Sequence, residues 1–300
     1  MRAFLRVATA GPVFATAVAV ILFFNSLPAR GEQPKGKPGG GADLAPPLVI
    51  PLPPDALKRL KSNDLGQIKS ALDDVRICGR AGAPAVPAIV ELLKQGLPPA
   101  LAQAAVETLG ETASEGGSEV LAWYSRHREL PLRRAAVDAL GKTRGPLAVK
   151  ALRASLSDAD SAVRGTSATA LGEMKAKEAV PDLFVALDHK VEEAAASIGQ
   201  LCEPADCEKL AGKLGNVPFD VMTGGLDQVL LRGAKDVDDD TKIKIVGRVR
   251  ELGTGQANQF LKDVQQKWPP KTSPKVKQAI DQAVIATSGS PGALPPESAP

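Results

Sequence analysis

Residues 130–187 contain one pattern twice. They read LPLRRAAVDALGKTRGPLAVKALRASLSDADSAVRGTSATALGEMKAKEAVPDLFVAL. Gly141 and Gly172 take the same place in the two copies, and Leu140 and Leu171 directly precede them. Apolar residues also stand four and nine positions before each glycine, which is the spacing of one helix face. The stretch therefore predicts a repeated helical unit.

The same pattern continues toward the N-terminus. Gly79 and Gly110 extend the series at the interval that separates Gly141 from Gly172, with apolar Cys78 and Leu109 before them. Glycine commonly follows the last residue of a helix, because it adopts the left-handed conformation there at little cost. The pattern predicts that a first helix ends at each of four structural glycines: Gly79, Gly110, Gly141 and Gly172.

A second apolar run follows the glycine in each of three units. AVPAIVELL begins at Ala85, LAVKALRASL at Leu147 and AVPDLFVAL at Ala179, each with apolar residues at helical spacing. Each unit is thus a helix, a short turn and a second helix. One such pair cannot bury both of its faces, but stacked pairs can.

These units predict an all-α fold. We expect a right-handed α-α superhelix, or solenoid, of antiparallel helix pairs with about 31 residues per repeat over residues 55–217. From residue 218 to 287 the glycine spacing is lost, yet three helical patterns remain. These residues are interpreted as degenerate repeats or as a helical cap, and the patterns are DDDTKIKIVGRVRELG, QANQFLKDVQQKW and SPKVKQAIDQAVIA.

The repeats resemble short HEAT-like repeats, of the kind also seen in phycobilisome-lyase-type proteins. The resemblance lies in acidic Asp158 and Asp160, in the Leu132-Arg133 and Val163-Arg164 pairs, in the Leu-Gly steps and in Ala179-Val180-Pro181. It implies that Arg133 and Arg164 are structural and pair with an acid of a neighbouring unit, with Asp138, Asp158 and Asp160 in reach. It also implies that the second helices line the concave face and carry the contacts to partners.

The two ends of the chain have a different composition. Residues 1–31 have the basic start, apolar stretch and small residues (Ala29, Gly31) of a cleaved signal peptide, with an uncleaved N-terminal membrane anchor as the alternative. Residues 32–54 are predicted to be a Pro/Gly-rich linker, and residues 288–300 a disordered tail. The chain is therefore expected to be exported, either periplasmic or secreted.

Composition excludes several classes of function. Three of the 37 basic residues lie within residues 1–31, which leaves 34 basic against 34 acidic residues, a poor balance for binding nucleic acid. With two histidines in 300 residues and no recognisable catalytic motif, we expect no catalytic residues, no metal site and no cofactor. The acidic run at Asp236 and Asp238–Asp240 lacks the glycine and glutamate of a calcium loop and is interpreted as the start of a helix.

The three cysteines separate into a pair and a single residue. Cys202 and Cys207 are predicted to form a local disulfide in an oxidising compartment, or alternatively to be two small core residues. Cys78 takes the apolar position before Gly79 and is predicted to be a buried, inert thiol.

One candidate protein-binding patch stands in SEVLAWYSRHR, the second helix of the second unit. With Val120 aligned on Val86, Trp123 is predicted to be core and Tyr124, Arg126 and Arg128 to lie on the surface. Tyrosine and arginine are frequent at binding hot spots. An ordinary solvated helix end is the alternative.

The sequence therefore favours an exported scaffold that binds a protein partner and is not an enzyme. The alternative is a bilin-lyase-like or other enzyme on the same solenoid. A membrane-tethered assembly factor differs from the scaffold only in keeping the N-terminal segment. The identity of the partner and the oligomeric state are left open.

Overall fold

The computed structural model describes residues 49–269 and 272–289, and this part of the chain is built from α-helices without a strand. None of the helices in these residues is long and apolar enough to cross a membrane. The predicted signal peptide, the linker up to residue 48 and the tail from residue 290 lie outside the described residues. Residues 49–53 of the linker have no regular structure.

The helices follow one another with short connections, several of them single 3-10 turns. Their bounds are α1 Ala56–Leu60, α2 Leu65–Cys78, α3 Val86–Gln95, α4 Pro99–Thr112, α5 Ser118–Tyr124, α6 Leu130–Thr143, α7 Pro146–Ser155, α8 Ser161–Glu173, α9 Val180–Asp188, α10 Glu193–Leu201, α11 Pro204–Ala211, α12 Phe219–Leu231, α13 Asp239–Glu251, α14 Gly255–Lys267 and α15 Pro274–Thr287.

The helices from α2 onward form two rows. The first helices, α2, α4, α6, α8, α10 and α12, pack each on the next. The second helices α3, α5 and α7 pack in the same order on the other side, and so do α11, α13 and α15. Between these two groups, α9 is joined by ion pairs to α7 and to Lys213 after α11. The fold is an all-α superhelix of helix pairs. Residues 218–287 add α12–α15 to the same two rows, although the sequence pattern did not indicate α12.

The core between the rows is aliphatic. One connected cluster of buried side chains runs from Leu60 to Ala283 and consists mainly of alanine, leucine, valine and isoleucine. Cys78 belongs to the buried residues as a free thiol, and its Sγ lies 3.5 Å from the carbonyl oxygen of Pro51. The burial predicted for Cys78 is confirmed.

The prediction that glycine ends each first helix is right once and wrong three times. Gly79 follows α2 with φ 53°, as expected of a residue that terminates a helix. Gly110, Gly141 and Gly172 instead lie inside α4, α6 and α8, which end one or two residues later. The residues with positive φ at these ends are Ala113, Arg144 and Lys175.

The glycines inside the helices allow neighbouring first helices to touch. A Cβ atom on Gly110 would stand 2.9 Å from the Cα of Ala139, and one on Gly141 would stand 3.0 Å from the Cβ of Ala170. Each glycine faces the residue two positions before the glycine of the next unit, and Gly172 faces Ser197 in the same way. The glycines therefore recur at a regular interval because each lies where one first helix packs closely against the next.

The closest of these approaches joins α10 and α12. A Cβ atom on Gly199 would stand 2.1 Å from the carbonyl oxygen of Gly225, and one on Gly225 would stand 2.4 Å from the carbonyl oxygen of Ala195. These neighbours are backbone atoms, which cannot rotate away as a side chain can. Only glycine fits at either position.

Exposed ion pairs link consecutive second helices. Arg153 of α7 pairs with Asp182 of α9 at 2.5 Å, and Lys244 of α13 pairs with Glu208 of α11 at 2.7 Å. Lys213, just after α11, pairs with Asp188 of α9 at 2.5 Å. Surface charges thus link both rows, since Lys142 of α6 also pairs with Glu111 of α4. The first row has small residues in direct contact in addition.

A disulfide joins the end of α10 to α11. The sulfur atoms of Cys202 and Cys207 are 2.07 Å apart, and both residues are buried. Arg232, just after α12, donates hydrogen bonds to the carbonyl oxygens of Cys202 at 2.7 Å and Gly199 at 3.3 Å. The Nζ of buried Lys242 donates in turn to the carbonyl oxygen of Arg232. The disulfide turn is therefore connected to the C-terminal helices.

Aspartate side chains cap the starts of three helices: Asp64 at α2, Asp160 at α8 and, as the sequence predicted, Asp238 at α13. Asp238 accepts a hydrogen bond from the backbone N–H of Thr241 at 2.8 Å. Asp160 accepts one from the backbone N–H of Val163 at 3.1 Å and binds the Arg134 guanidinium with both oxygens. The hydrogen bond from Arg134, together with those from the backbone, lowers the pKa of Asp160 to about 2.

Replacing Gly199 with alanine should destabilise the protein. We expect Gly199→Ala to lower the free energy of unfolding by roughly 1–3 kcal/mol or more, because the added methyl group meets backbone. Gly247→Ala is the matched control, since that glycine lies inside α13 with nothing within 4 Å. Gly247→Ala should raise the free energy of unfolding by about 0.5–1 kcal/mol. Urea unfolding followed by circular dichroism measures both, and equal effects would contradict the close packing.

Reducing the disulfide should weaken the fold by a modest amount. The loop closed by Cys202 and Cys207 is short, so loop entropy predicts that breaking the disulfide lowers the free energy of unfolding by ~2 kcal/mol. The measurement is urea unfolding with and without a phosphine reductant. Cys202→Ser/Cys207→Ser should lose all sensitivity to the reductant, whereas Cys78→Ser should keep it. A reductant effect in the double variant would show that the stabilisation comes from elsewhere.

The Arg134–Asp160 pair should make stability depend on acid. The folded pKa of Asp160 lies below its ordinary value, so its contribution is present above about pH 4 and is lost as the pH falls toward 2. Asp160→Asn should therefore melt at a lower temperature than the natural protein near neutral pH, and the difference should shrink between pH 4 and 2. A difference that stays constant over that range would contradict this account.

Candidate functional site

The second helices expose one position at a regular interval. Leu121, Leu152 and Leu183 are fully buried and take the same place in three successive units. The residue two positions after the first and last of them is exposed: Trp123 and Val185 are each 57% accessible. The prediction that Trp123 belongs to the core is wrong, because Leu121 and not Trp123 takes the buried position of Leu152.

Trp123 is therefore the exposed aromatic residue of this surface. The Nζ of Lys94, from α3, lies 5.7 Å from the centroid of the Trp123 ring. An exposed tryptophan with a cation beside it is a typical contact residue in protein interfaces. Aligning α5 on Leu152 instead of on Val86 would have found it in the sequence.

Tyr124 is half-buried and already bonded within the protein. Its hydroxyl donates a hydrogen bond to the carbonyl oxygen of Leu93 at 3.1 Å, and its ring stacks on His127 with the centroids 5.6 Å apart. Burial raises the pKa of Tyr124. Arg126 and Arg128 are exposed beside it. Of the predicted patch, the two arginines are on the surface, and Tyr124 supports the helix end that carries them.

A cavity of about 410 Å³ opens beside these arginines, between the ends of α5 and α7. Arg133 of α6 forms part of its wall. The Nη1 of Arg133 donates to the carbonyl oxygens of His127 and Arg128, and its Nε lies 2.9 Å from a carboxylate oxygen of Asp158. Both side chains are mostly buried, at 17% and 12% accessible. Arg133 thus pairs with an acid of the next unit, as the resemblance implied.

The same construction recurs in the next unit as a cavity of about 350 Å³ between the ends of α7 and α9. The Nη1 of Arg164 donates to the carbonyl oxygens of Asp158 and Ala159 at 2.8 and 3.0 Å. The position that corresponds to Asp158 is here His189, which lines the cavity. The expectation that Arg164 pairs with an acid is wrong for the part of the chain that the structure describes, because a histidine replaces that acid.

A wider groove of about 640 Å³ crosses the first helices. Gly110, Gly141, Gly165 and Ala170 contribute small residues to its lining, and Lys142 pairs there with Glu111 at 2.9 Å and Asp138 at 2.8 Å. We call it the first-helix groove. The resemblance implied contacts on the second helices, whereas this groove lies over the other row.

The first-helix groove also holds charges without partners. Arg80 and Arg144 come from the earlier units and Glu173 and Glu193 from the later ones, and none of the four forms an ion pair with any residue in 49–269 or 272–289. The unpaired charges in the groove are therefore positive in the earlier units and negative in the later ones. Sequence reasoning missed these four residues, because nothing in the repeat pattern distinguishes paired from unpaired charges.

Across residues 49–269 and 272–289, no three His, Cys, Asp or Glu side chains are grouped so as to hold a metal ion.

Comparison with known proteins identifies the repeat. The family described as HEAT repeats matches residues 86–164. No curated protein matches the chain. Solved structures that match include the complex of CpcE and CpcF of phycocyanin lyase from Nostoc sp. PCC7120, at 20% identity over 83% of this chain and 100% of that chain, with a TM-score of 0.41.

Two further matches are repeat or engineered proteins. A designed armadillo repeat protein matches at 16% identity over 78% of this chain and 99% of its own, with a TM-score of 0.40. An engineered protein matches at 20% identity over 78% of this chain and 95% of its own, with a TM-score of 0.38. At these values the structural matches carry no argument about function. Residues 86–164 are thus similar to HEAT repeats, and stacked helix pairs of the same kind continue on both sides of this stretch.

Proposed function

We propose that this protein is an exported scaffold that binds a protein partner along the first-helix groove and has no catalytic role of its own. The observation that carries the proposal is the unpaired charge in that groove, basic at Arg80 and Arg144 and acidic at Glu173 and Glu193. Complementary charges on a partner would fix its direction along the groove and speed its association.

The lining of the groove suits an elongated segment. Glycine has no side chain and those of alanine and threonine are short, so the backbone of a bound segment can come close to the first helices. Lys142 is already satisfied by Glu111 and Asp138 and would not compete for the partner's charges. The groove therefore offers a shallow floor of small residues together with charged side chains that a partner can contact.

The second row supplies a further contact area on another face. Trp123 is exposed beside Lys94, and Arg126 and Arg128 lie on the surface at the end of the same helix segment. Tryptophan and arginine are enriched among residues that dominate binding energy. This surface would support a second partner or a second part of the same partner.

The proposed export rests on two features. Residues 1–31 have the composition of a signal peptide, and a buried disulfide of Cys202 and Cys207 suits an oxidising compartment. Periplasmic or secreted localisation is therefore proposed, with a retained N-terminal anchor as the alternative. An N-terminus at Arg30 or Glu32 in the exported protein, read by mass spectrometry, would establish cleavage, and an intact Met1 would establish the anchor.

Charge reversal in the groove tests the binding proposal. We expect Arg80→Glu/Arg144→Glu to weaken capture of the partner about 10-fold or more, because two favourable charge pairs become repulsive. The measurement is chemical crosslinking of the exported protein in its native surroundings, with crosslinked residues identified by mass spectrometry. Crosslinks of one dominant partner should lie on α4, α6 and α8.

Lys58→Glu/Lys61→Glu is the matched control, since it makes the same change in net charge at exposed residues outside the groove. It should leave capture unchanged. Equal loss in both double variants would mean that net charge alone drives the association. Crosslinks confined to the second helices would contradict the groove as the binding site.

A further inference from the structure

Two arginines of the repeat are held in the same way. The Nη1 of Arg133 donates to the carbonyl oxygens six and five residues before it, and the Nη1 of Arg164 does the same. In each case the inner corner of the guanidinium is fixed by backbone. The other edge, formed by Nε and Nη2, is left to face the next unit.

The pair at Arg133 shows what this edge accepts. Its Nε and Nη2 lie 2.9 and 3.3 Å from the two oxygens of Asp158, a two-pronged contact with a carboxylate. This geometry is the preferred one for an arginine and a carboxylate, and the two hydrogen bonds are charge-assisted. At Arg133 the Nε and Nη2 edge of the guanidinium is thus occupied by a carboxylate of the protein itself.

The site at Arg164 is open in the described structure. His189 follows Arg164 at the same distance along the chain as Asp158 follows Arg133, so a histidine replaces the carboxylate. Across residues 49–269 and 272–289, no group accepts a hydrogen bond from Nε or Nη2 of Arg164. The two acids that line the cavity are already engaged, Asp158 by Arg133 and Asp182 by Arg153.

The cavity in front of Arg164 has an apolar side as well. Leu156, Val185 and Ala186 line it, and Val185 is 57% accessible. With its volume of about 350 Å³, the cavity has room for a carboxylate and an adjoining aliphatic side chain. The positive charge of Arg164 and this apolar wall lie side by side.

We infer that Arg164 binds a carboxylate of a protein partner, in the place that Asp158 takes at Arg133, with an aliphatic side chain next to it against Val185. The inference rests on the proposed function and names the chemistry of a part of the partner. The carboxylate comes either from a chain terminus or from an acidic side chain, and the test distinguishes these two sources.

Short peptides test the inference by isothermal titration with the full exported protein. The first probe is acetyl-Gly-Gly-Leu-Leu with a free C-terminal carboxylate, and its C-terminal amide is the comparison. The second probe is amidated acetyl-Gly-Leu-Glu-Gly, compared with the same peptide carrying glutamine. A member with a carboxylate should bind at least 10-fold more tightly than its neutral counterpart, and the pair that shows this identifies the source.

Two variants locate the binding at Arg164. His189→Asp should weaken binding at least 10-fold, because the new carboxylate fills the site from within, and its melting temperature should be equal to or above that of the natural protein. Arg164→Lys should weaken binding about 10-fold, because lysine keeps the charge but loses the two-pronged geometry. Arg250→Lys, at an exposed position of α13, is the matched control and should bind as the natural protein does.

Equal binding of the acidic and neutral peptides, no binding of either acidic peptide, or full binding by a folded His189→Asp variant would overturn the inference. The proposed function is tested separately by the charge reversal in the first-helix groove. If that reversal abolishes partner capture while the peptides fail to bind, the carboxylate site is rejected and the scaffold function stands.

Discussion

Direct contact between neighbouring first helices is the constraint on which the rest of the fold depends. At Gly110, Gly141 and Gly172 the next helix lies where a larger side chain would stand, and at Gly199 the neighbour is the backbone of Gly225. A row packed this closely leaves little freedom in the angle between successive pairs. The register of the second helices, the position of Arg133 and Arg164 and the line of the first-helix groove all follow from it.

The class of fold could be predicted from the sequence because each unit repeats an apolar pattern that only stacked helices can bury. The role of the glycines could not. A glycine that ends a helix and a glycine that contacts a neighbouring helix cannot be told apart in a sequence, since larger residues are excluded at both positions. Trp123 is misplaced by the sequence pattern for a related reason: α5 has apolar residues in more than one register. The alignment on Val86 is displaced by two residues from the alignment of Leu121 on Leu152 that the fold uses.

The candidate binding surfaces could be predicted from the sequence less completely than the fold. Arg126 and Arg128 can be found because arginines beside an aromatic residue are conspicuous, and both are exposed. The first-helix groove was missed, because it forms from single residues of several units that have no common motif. The replacement of Asp158 by His189 in the next unit is present in the repeat alignment. Its importance is evident only when the structure shows that Nη1 of Arg133 and Nη1 of Arg164 are held by backbone carbonyl groups in the same way.

The ion pairs along the second row give the two sides of the superhelix different mechanical properties. Pairs such as Arg153–Asp182 and Lys244–Glu208 are exposed, and dissolved salt screens charges of this kind over about 10 Å or less. The glycine contacts of the first row contain no charge and do not respond to salt. The first row has exposed pairs of its own, such as Lys142–Glu111, but it keeps its glycine contacts when they are screened. Ionic strength would therefore loosen the second row more than the first, so the curvature of the protein would respond to the salinity of its surroundings.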